Sequence, residues 1–542
     1  MLPLNILIGS NVRVVVQSSA ISMDDFLIIG SGFGGSVSAL RLSEKGYSVR
    51  ILEKGHRFAD GDFPKSNWNL KRWLWLPEIG FRGLFKMTFL RHVTVLSGVG
   101  VGGGSLVYAN TLPVPADEFF AAPSWSHLAD WKRELAQHYE TARRMLGANQ
   151  NPKNTFADDV MKELATELGI SDKLRRADVG VFFGEPGVRV PDPYFDGKGP
   201  ERRGCIHCGA CMIGCSHGAK NTLDKNYLYL AEQLGARIEA DTSVTDVHPV
   251  GDGYEVAARI HRGRGVTYRA RNVIFAGGVL GTVPLLLALR EKEGGLPRLS
   301  SRLGEFVRTN SEVLVGVTTE RRDRDFSEGV AITSFLQTDE RSHLEPVRYP
   351  SGSGFFRLLA LPHAPGETFF ARIASAMGLA IRHPWKTIRA FLTPDFGRFA
   401  IILLYMRTDD GRLAFRLGRT FRSLFRRGIV TEVAAGAAPK ASLPEATDIA
   451  NRVARIASGY PLSMATETIL GIPTTAHILG GCAMGASAEE GVINDRHEVF
   501  HYPGLYVIDG SAVSANPGVN PSLTICALAE RAMGFIAPKP GP

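Results

Sequence analysis

Long apolar runs are missing from this chain. The longest, Phe399 to Met406, falls far short of the ~20 residues a bilayer-spanning helix needs, so a transmembrane span is excluded. The first 22 residues offer no basic leading segment and no cleavage site of small residues, and a secretory signal is not expected. Cysteine is scarce, with 6 in 542 residues, and four of them crowd into Cys205 to Cys215. A secreted disulfide framework would be spread differently. Internal repeats and low-complexity tracts are lacking as well. Together these absences set the expectation of a cytoplasmic globular protein with room for two or three domains.

Net charge is also thin. A formal balance of +8 over 542 residues is too little to argue for a nucleic-acid partner, and none is expected. Much of it sits in Arg412 to Arg427, where Arg412, Arg416, Arg419, Arg422 and Arg426 alternate with Leu413, Phe415, Leu417, Phe421, Leu424 and Phe425. Read at helical spacing, this is a basic amphipathic stretch suited to peripheral contact with a membrane surface. The plainer reading is a solvated face beside a core-facing stripe.

Glycine is what the chain has in quantity, 59 in all, and it gathers at loops. Phe26 to Ile29 reads as a buried strand, followed by Gly30-Ser31-Gly32-Phe33-Gly34-Gly35, a helix to about Lys45, and a second strand, Val49 to Leu52, closed by Glu53. This β-α-β order turns GxGxxG from a weak fingerprint into a strong one. The glycines allow a tight turn and close approach of a pyrophosphate to a helix N-terminus. Glu53 is placed to accept hydrogen bonds from an unphosphorylated ribose, which favours FAD or NAD over NADP. A second loop, Ser97 to Ser105, holds Gly102, Gly103, Gly104 and Ser105 and suits a backbone draped over a ring or phosphate. Two more elements return to the nucleotide: Ala240 to Val244, and the strand Val273 to Ala276 running into Gly277.

The last segment adds polar groups beside glycines: His477-Ile478-Leu479-Gly480-Gly481-Cys482, then Leu505 to Ile508 ending on Asp509-Gly510, then Asn520-Pro521-Ser522. The expected organisation is an extension at 1–23 with no ordered place assigned to it, and a discontinuous cofactor domain at 24–302 carrying the cysteine-rich 205–215. A substrate domain at 303–473 and a segment at 474–536 that completes the cofactor site follow. Within the third part, Phe369 to Ile381 and Trp385 to Leu392 look helical, broken at Pro384.

This ordered set of motifs resembles the glucose–methanol–choline (GMC) flavoprotein oxidoreductases over residues 24 to 536, and within them most closely the cholesterol oxidase branch. The resemblance implies an α/β Rossmann-like FAD domain joined to an α+β substrate domain built on a sheet. It implies hydride transfer from an alcohol carbon to FAD, with molecular oxygen as the acceptor in oxidases. His477 then matches the histidine that holds the substrate hydroxyl, and Asn520 the second polar residue facing the flavin. Asp509, Gly510 and Pro521 match the flavin-contacting turn, and Val244 the adenine side. Glu345 matches the carboxylate that moves a proton from C4 to C6 as a 5-ene sterol becomes the 4-ene ketone. A sterol or similar lipid alcohol is the implied substrate. A dehydrogenase passing electrons to a carrier and a lipid-binding flavoprotein without turnover are the alternatives.

Two features sit beside this reading. Cys205, Cys208, Cys211 and Cys215 have the spacing of a bacterial ferredoxin run, although Ser216 stands where that motif has proline. An iron–sulfur cluster, a zinc site and a set of packed thiols are all compatible with the spacing. His92, just before the second glycine loop, is a candidate for covalent flavin attachment; noncovalent FAD is the expectation.

Overall fold

Two seven-stranded sheets carry the fold. The computed structural model describes residues 23–541, apart from 261–262, 365, 367, 383, 386–387, 389–391, 420–426 and 434–437. Residues 1–22, read above as an extension, lie outside the described residues, and Met23 already belongs to the first strand.

In the first sheet, Arg237–Glu239, Val49–Leu52, Met23–Ile29, Gly265–Phe275 and Leu505–Val507 run parallel in that spatial order. Gly253–Ile260 and Thr242–Val250 extend the sheet antiparallel from the first half of Gly265–Phe275. Met23–Ile29 and Val49–Leu52 are almost wholly buried, as expected for parallel strands covered on both faces. The segments at 23–52, 237–275 and 505–507 are far apart in sequence, so the cofactor fold is discontinuous. The helix Phe33–Glu44 leaves the first strand through Gly30, whose φ of +103° needs glycine. It packs so tightly on the last strand that a Cβ on Gly34 would stand 1.8 Å from the Ile508 carbonyl oxygen.

The second sheet is antiparallel: Ala360–Pro362, Pro461–Met464, Val313–Thr318, Ala400–Arg407, Ser342–Val347, Ser334–Asp339 and Leu174–Arg176. Alternation divides its faces. Val313, Val315, Val317, Leu344, Ile401 and Leu403 point to a core closed by helices Phe156–Glu167 and Pro444–Ile456. Leu314, Gly316, Val347, Ile402 and Leu404 point the other way and line a cavity. Residues 156–176 therefore pack with the second sheet although they precede 303.

The basic stretch at 412–427 is not a helix where it is described. Arg412–Arg419 and Arg427–Glu432 are antiparallel strands, with Leu413 and Phe415 buried at a period of two. Three of its described arginines are paired: Arg412 with Asp410 at 2.7 Å, Arg416 with Glu305 at 3.2 Å, and Arg427 with Glu291. Residues 420–426 of the expected helix lie outside the described residues. The outward apolar surface is elsewhere. On helix Phe369–Arg382 and just after it, Phe370 is 80% exposed, Ile381 and Trp385 74% each, and Leu392 70%. The second helix expected there, Trp385 to Leu392, falls largely outside the described residues. Among the described residues no helix is long and apolar enough to cross a membrane.

Candidate active site

The parallel strands of the first sheet end at a cavity of about 500 Å³ that reaches across to the open face of the second sheet. Ligands bind at the carboxyl ends of such strands because the following loops and helix N-termini point amide donors outward. Here Gly30, Gly32, Phe33, Gly34, Glu53, Gly103, Gly104, Val244, Gly277, Asp509, Gly510 and Pro521 all line the space. Gly35, Gly102 and Ser105 do not. A Cβ on Gly35 would meet the Gly30 carbonyl oxygen at 2.2 Å, so that glycine serves helix packing. Ser105 is buried and braces its own loop, donating to the Gly102 carbonyl at 2.7 Å and accepting from the Leu223 N–H at 3.0 Å.

The lining has the shape of a dinucleotide cradle. A Cβ on Gly32 would find only the Ala276 oxygen, at 3.9 Å, and one on Gly278 would find nothing, so both backbones lie open to a ligand. Glu53 is held ready: Oε2 accepts from the Ser31 N–H and hydroxyl at 3.1 and 2.8 Å, and Oε1 from the Gly55 N–H at 2.8 Å. A carboxylate accepts about four hydrogen bonds, which leaves room for a ribose hydroxyl. Asp509 is different. Its four acceptor positions go to the Gly278 N–H, the Thr282 hydroxyl, and the Ser511 N–H and hydroxyl, at 2.8, 2.6, 2.8 and 2.5 Å. It therefore fixes the turn that presents Gly510. Among the described residues, buried Asn110 Oδ1, Asn520 Oδ1 and Ser522 Oγ have no protein partner; an unsatisfied buried acceptor costs about 1–3 kcal/mol. All three residues line the cavity, and polar edges of an isoalloxazine would satisfy them. FAD fits the residues present.

At the junction with the second sheet stands His477. Its Nδ1 is 2.6 Å from Glu312 Oε2, and the other Glu312 oxygen accepts from the Ala476 N–H. Glu312 is fully buried, so this pair lies where charges are weakly screened. Burial works against a charged imidazole, but the Glu312 charge and hydrogen bond, with Glu345 contributing, outweigh it and raise the His477 pKa above its ordinary value. Nδ1–H donating to Glu312 leaves Nε2 as the free acceptor. Asn520 donates from Nδ2 to Glu345 Oε2 at 3.3 Å. Glu345 itself is 1% exposed; it is not the solvated surface carboxylate that glutamates usually are. It stands behind Asn520 rather than on the wall of the large cavity.

A model of the GMC oxidoreductase family matches residues 403–529, and one of the NAD(P)-binding Rossmann-like domain matches residues 28–61. The chain is 44% identical over 529 residues to a cholesterol oxidase of Acinetobacter baumannii, covering 95% of this chain and 94% of that protein. It is likewise 44% identical over 527 residues to a cholesterol oxidase of Mycobacterium tuberculosis, covering 94% and 90%. The chain belongs to the GMC oxidoreductases. A solved structure, pyridoxine 4-oxidase from Mesorbium loti, shares the fold at 14% identity with a TM-score of 0.60, over 94% of this chain and 99% of that one. As a GMC oxidoreductase the protein is an FAD-dependent enzyme that oxidises alcohols.

An iron–sulfur cluster at the cysteine run finds no support among the described residues of this GMC oxidoreductase. Among the described residues no group of three or more His, Cys, Asp or Glu side chains is arranged to hold a metal ion. Cys205, Cys211 and Cys215 pack instead with Val179, Val181, Ile332 and Val347, and burial, aided by the neighbouring Cys211, pushes the Cys208 thiol up to about 11. Lys220 ties the segment down, donating to the Cys211 and Leu106 carbonyls at 2.7 and 3.1 Å under the Tyr108 ring. His92 bonds Thr431 at 2.9 Å and does not line the cavity, so it offers no covalent link. Glu312, Asn110 and Thr282 went unread in the sequence because no motif surrounds them. The only signal for Glu312 was an acidic residue directly before the apolar run Val313 to Val317.

Proposed function

We propose that the enzyme oxidises the secondary alcohol of a sterol, with noncovalent FAD as hydride acceptor and oxygen as the final oxidant, and converts a 5-ene sterol to its 4-ene ketone. The observation that carries this is the apolar wall on the open face of the second sheet, where Leu314, Val347, Phe356, Ile402, Leu404 and Leu462 line a cavity that ends at His477 and Asn520. A rigid polycyclic alcohol suits a wall without charged groups, and its one hydroxyl meets the polar end.

Bound FAD supplies an acceptor for the hydride of the carbinol carbon. In this reading His477 Nε2 takes the hydroxyl proton, with the imidazolium stabilised by Glu312. The Asn520 amide orients the same oxygen. Glu345, one side chain away, carries the proton between C4 and C6. Anaerobic addition of cholesterol to the purified holoenzyme is expected to bleach the oxidised-flavin absorption, and air to restore it with release of hydrogen peroxide. Recovery only with an added electron carrier would make the enzyme a dehydrogenase; no bleaching would sink the sterol reading.

The lipid-facing element in this reading is helix Phe369–Arg382 with the residues after it. Thr368 to Pro394 holds Arg372, Arg382, Lys386 and Arg389 and no Asp or Glu, a cationic and apolar composition suited to an anionic bilayer surface. The helix packs on Ala360–Pro362 and Ala465–Leu470, beside Ala360 and Met464 of the cavity wall, so substrate would pass from bilayer to cavity over a short path. Binding to phosphatidylglycerol-containing vesicles should fall at least tenfold in Ile381→Ser/Trp385→Ser, since each apolar side chain contributes roughly 1.5–3 kcal/mol on burial. Turnover of detergent-dispersed sterol should not change. Equal vesicle binding by both proteins would remove this element from the account.

A further inference from the structure

A second cavity, of about 350 Å³, approaches the same carboxylate from the opposite direction. Thr111, Arg143, Asp178, Gln337, His343 and Glu345 are on its wall. Its rim includes Val114, which is 45% exposed, and the exposed Arg341, so it opens to solvent. Charged and polar groups stand in its wall beside apolar Leu112, Val114 and Phe335, and Arg143 pairs with Asp178 at 2.7 Å within it.

His343 and Glu345 are two residues apart on the strand Ser342–Val347, so both side chains project from one face. His343 Nε2 is 3.4 Å from Glu345 Oε1, while Glu345 Oε2 accepts from Asn520 at 3.3 Å. Glu345 thus lines the second cavity and reaches the first through the Asn520 amide. Among the described residues, His343 Nδ1 has no hydrogen-bond partner. A strand position facing inward is costly for an imidazole unless the ring makes polar contacts that matter, and the same face at Val347 is apolar.

We infer that His343 and the second cavity form a proton-exchange route that connects Glu345 to bulk water while an apolar substrate fills the first cavity. A protonated Glu345 gives its proton to His343 Nε2, and the imidazolium releases a proton from Nδ1 to water in the cleft. One proton leaves the carboxyl group and one reaches solvent; the reverse sequence reloads it. No bond between heavy atoms changes and no oxidant is needed. His343 acts through Glu345 and is a positioning and relay residue.

The inference rests on the sterol reading, and the test separates the two. The substrate is the 5-en-3-one supplied directly to the holoenzyme in D2O, so that only isomerisation is followed, with deuterium in the product read by mass spectrometry. The wild type should incorporate solvent deuterium, because Glu345 exchanges during turnover. His343→Ala should lower that incorporation at least threefold, and added imidazole, admitted by the open cleft, should restore it in proportion to its concentration. Oxidation of the sterol by the variant should stay within threefold of the wild type. A wild type that leaves the 5-en-3-one unchanged overturns the sterol reading. A wild type that isomerises it, with His343→Ala incorporating deuterium equally or ignoring imidazole, overturns the relay alone. Should His343→Ala fail to fold, His343→Gln in the same assay decides: deuterium content equal to the wild type overturns the route, and a threefold loss supports it.

Discussion

Under the proposed function, Glu345→Gln is expected to separate sterol oxidation from isomerisation. Isomerisation of the 5-en-3-one should fall by about 10²–10⁴, the span ascribed to a positioned acid–base group, while sterol oxidation stays within about tenfold. The unconjugated ketone should then accumulate, visible as a lag or absence of the conjugated-enone absorbance while the flavin still turns over. The reason is positional. Glu345 is buried and touches the substrate side only through the Asn520 amide at 3.3 Å, whereas the hydroxyl proton is served by His477. A glutamine keeps the shape and still accepts from Asn520, so the fold loses little. It also removes a buried charge whose partners are an amide and an imidazole. A parallel loss of both activities would mean that Glu345 supports the oxidation step itself, and retention of both would take it out of the reaction.

The second large effect is expected from Glu312→Gln, which should lower kcat for oxidation by about 10²–10³ with KM nearly unchanged, as when a charge that steadies a developing imidazolium is lost. The pH profile distinguishes this from simple misfolding. Oxidation needs His477 neutral at Nε2, so in the wild type activity should rise with pH through the raised His477 value. Without Glu312, burial is opposed only by the Glu345 charge, and the limb should move to lower pH. Stability should follow the same linkage. A His raised on folding contributes stability that is fully present below its unfolded pKa of about 6.5 and is lost as pH rises through the folded value. The melting-temperature deficit of Glu312→Gln should therefore be larger near pH 6 than near pH 9. An unmoved pH limb in an otherwise folded variant would show that Glu312 does not set the state of His477.

Where local chemistry carried the information, the sequence alone placed it well. Gly30 and Gly34 sit in a turn that a positive φ and close packing reserve for glycine, Gly32 leaves its backbone open, and together they lead to the cradle. His477 and Asn520 come from two separated glycine-rich motifs and line one cavity. What depended on three-dimensional company was less visible. Glu312 is an ordinary acidic residue at a strand start until the fold sets it against His477. Arg412 to Arg419 satisfied a helical reading because apolar residues at positions 413 and 417 obey both periods; strand pairing with Arg427–Glu432 settled it. The cysteine spacing matched a ferredoxin run, but spacing does not report that the thiols face Val179 and Ile332. Residues 156–176 had no signal that they would join a sheet formed mainly by strands more than a hundred positions later.

The discontinuity of the first sheet has a bearing on how the protein is made. Its innermost neighbours include strands from residues 23–29, 265–275 and 505–507, and Gly34 closes directly on Ile508. A nascent chain thus cannot assemble the cofactor site until residues 505–507 have been made. Until then Val273–Phe275 presents an unpaired apolar edge, of the kind that templates aggregation. Capture of FAD then waits on that segment, and expression yield should depend on flavin supply after it emerges rather than before.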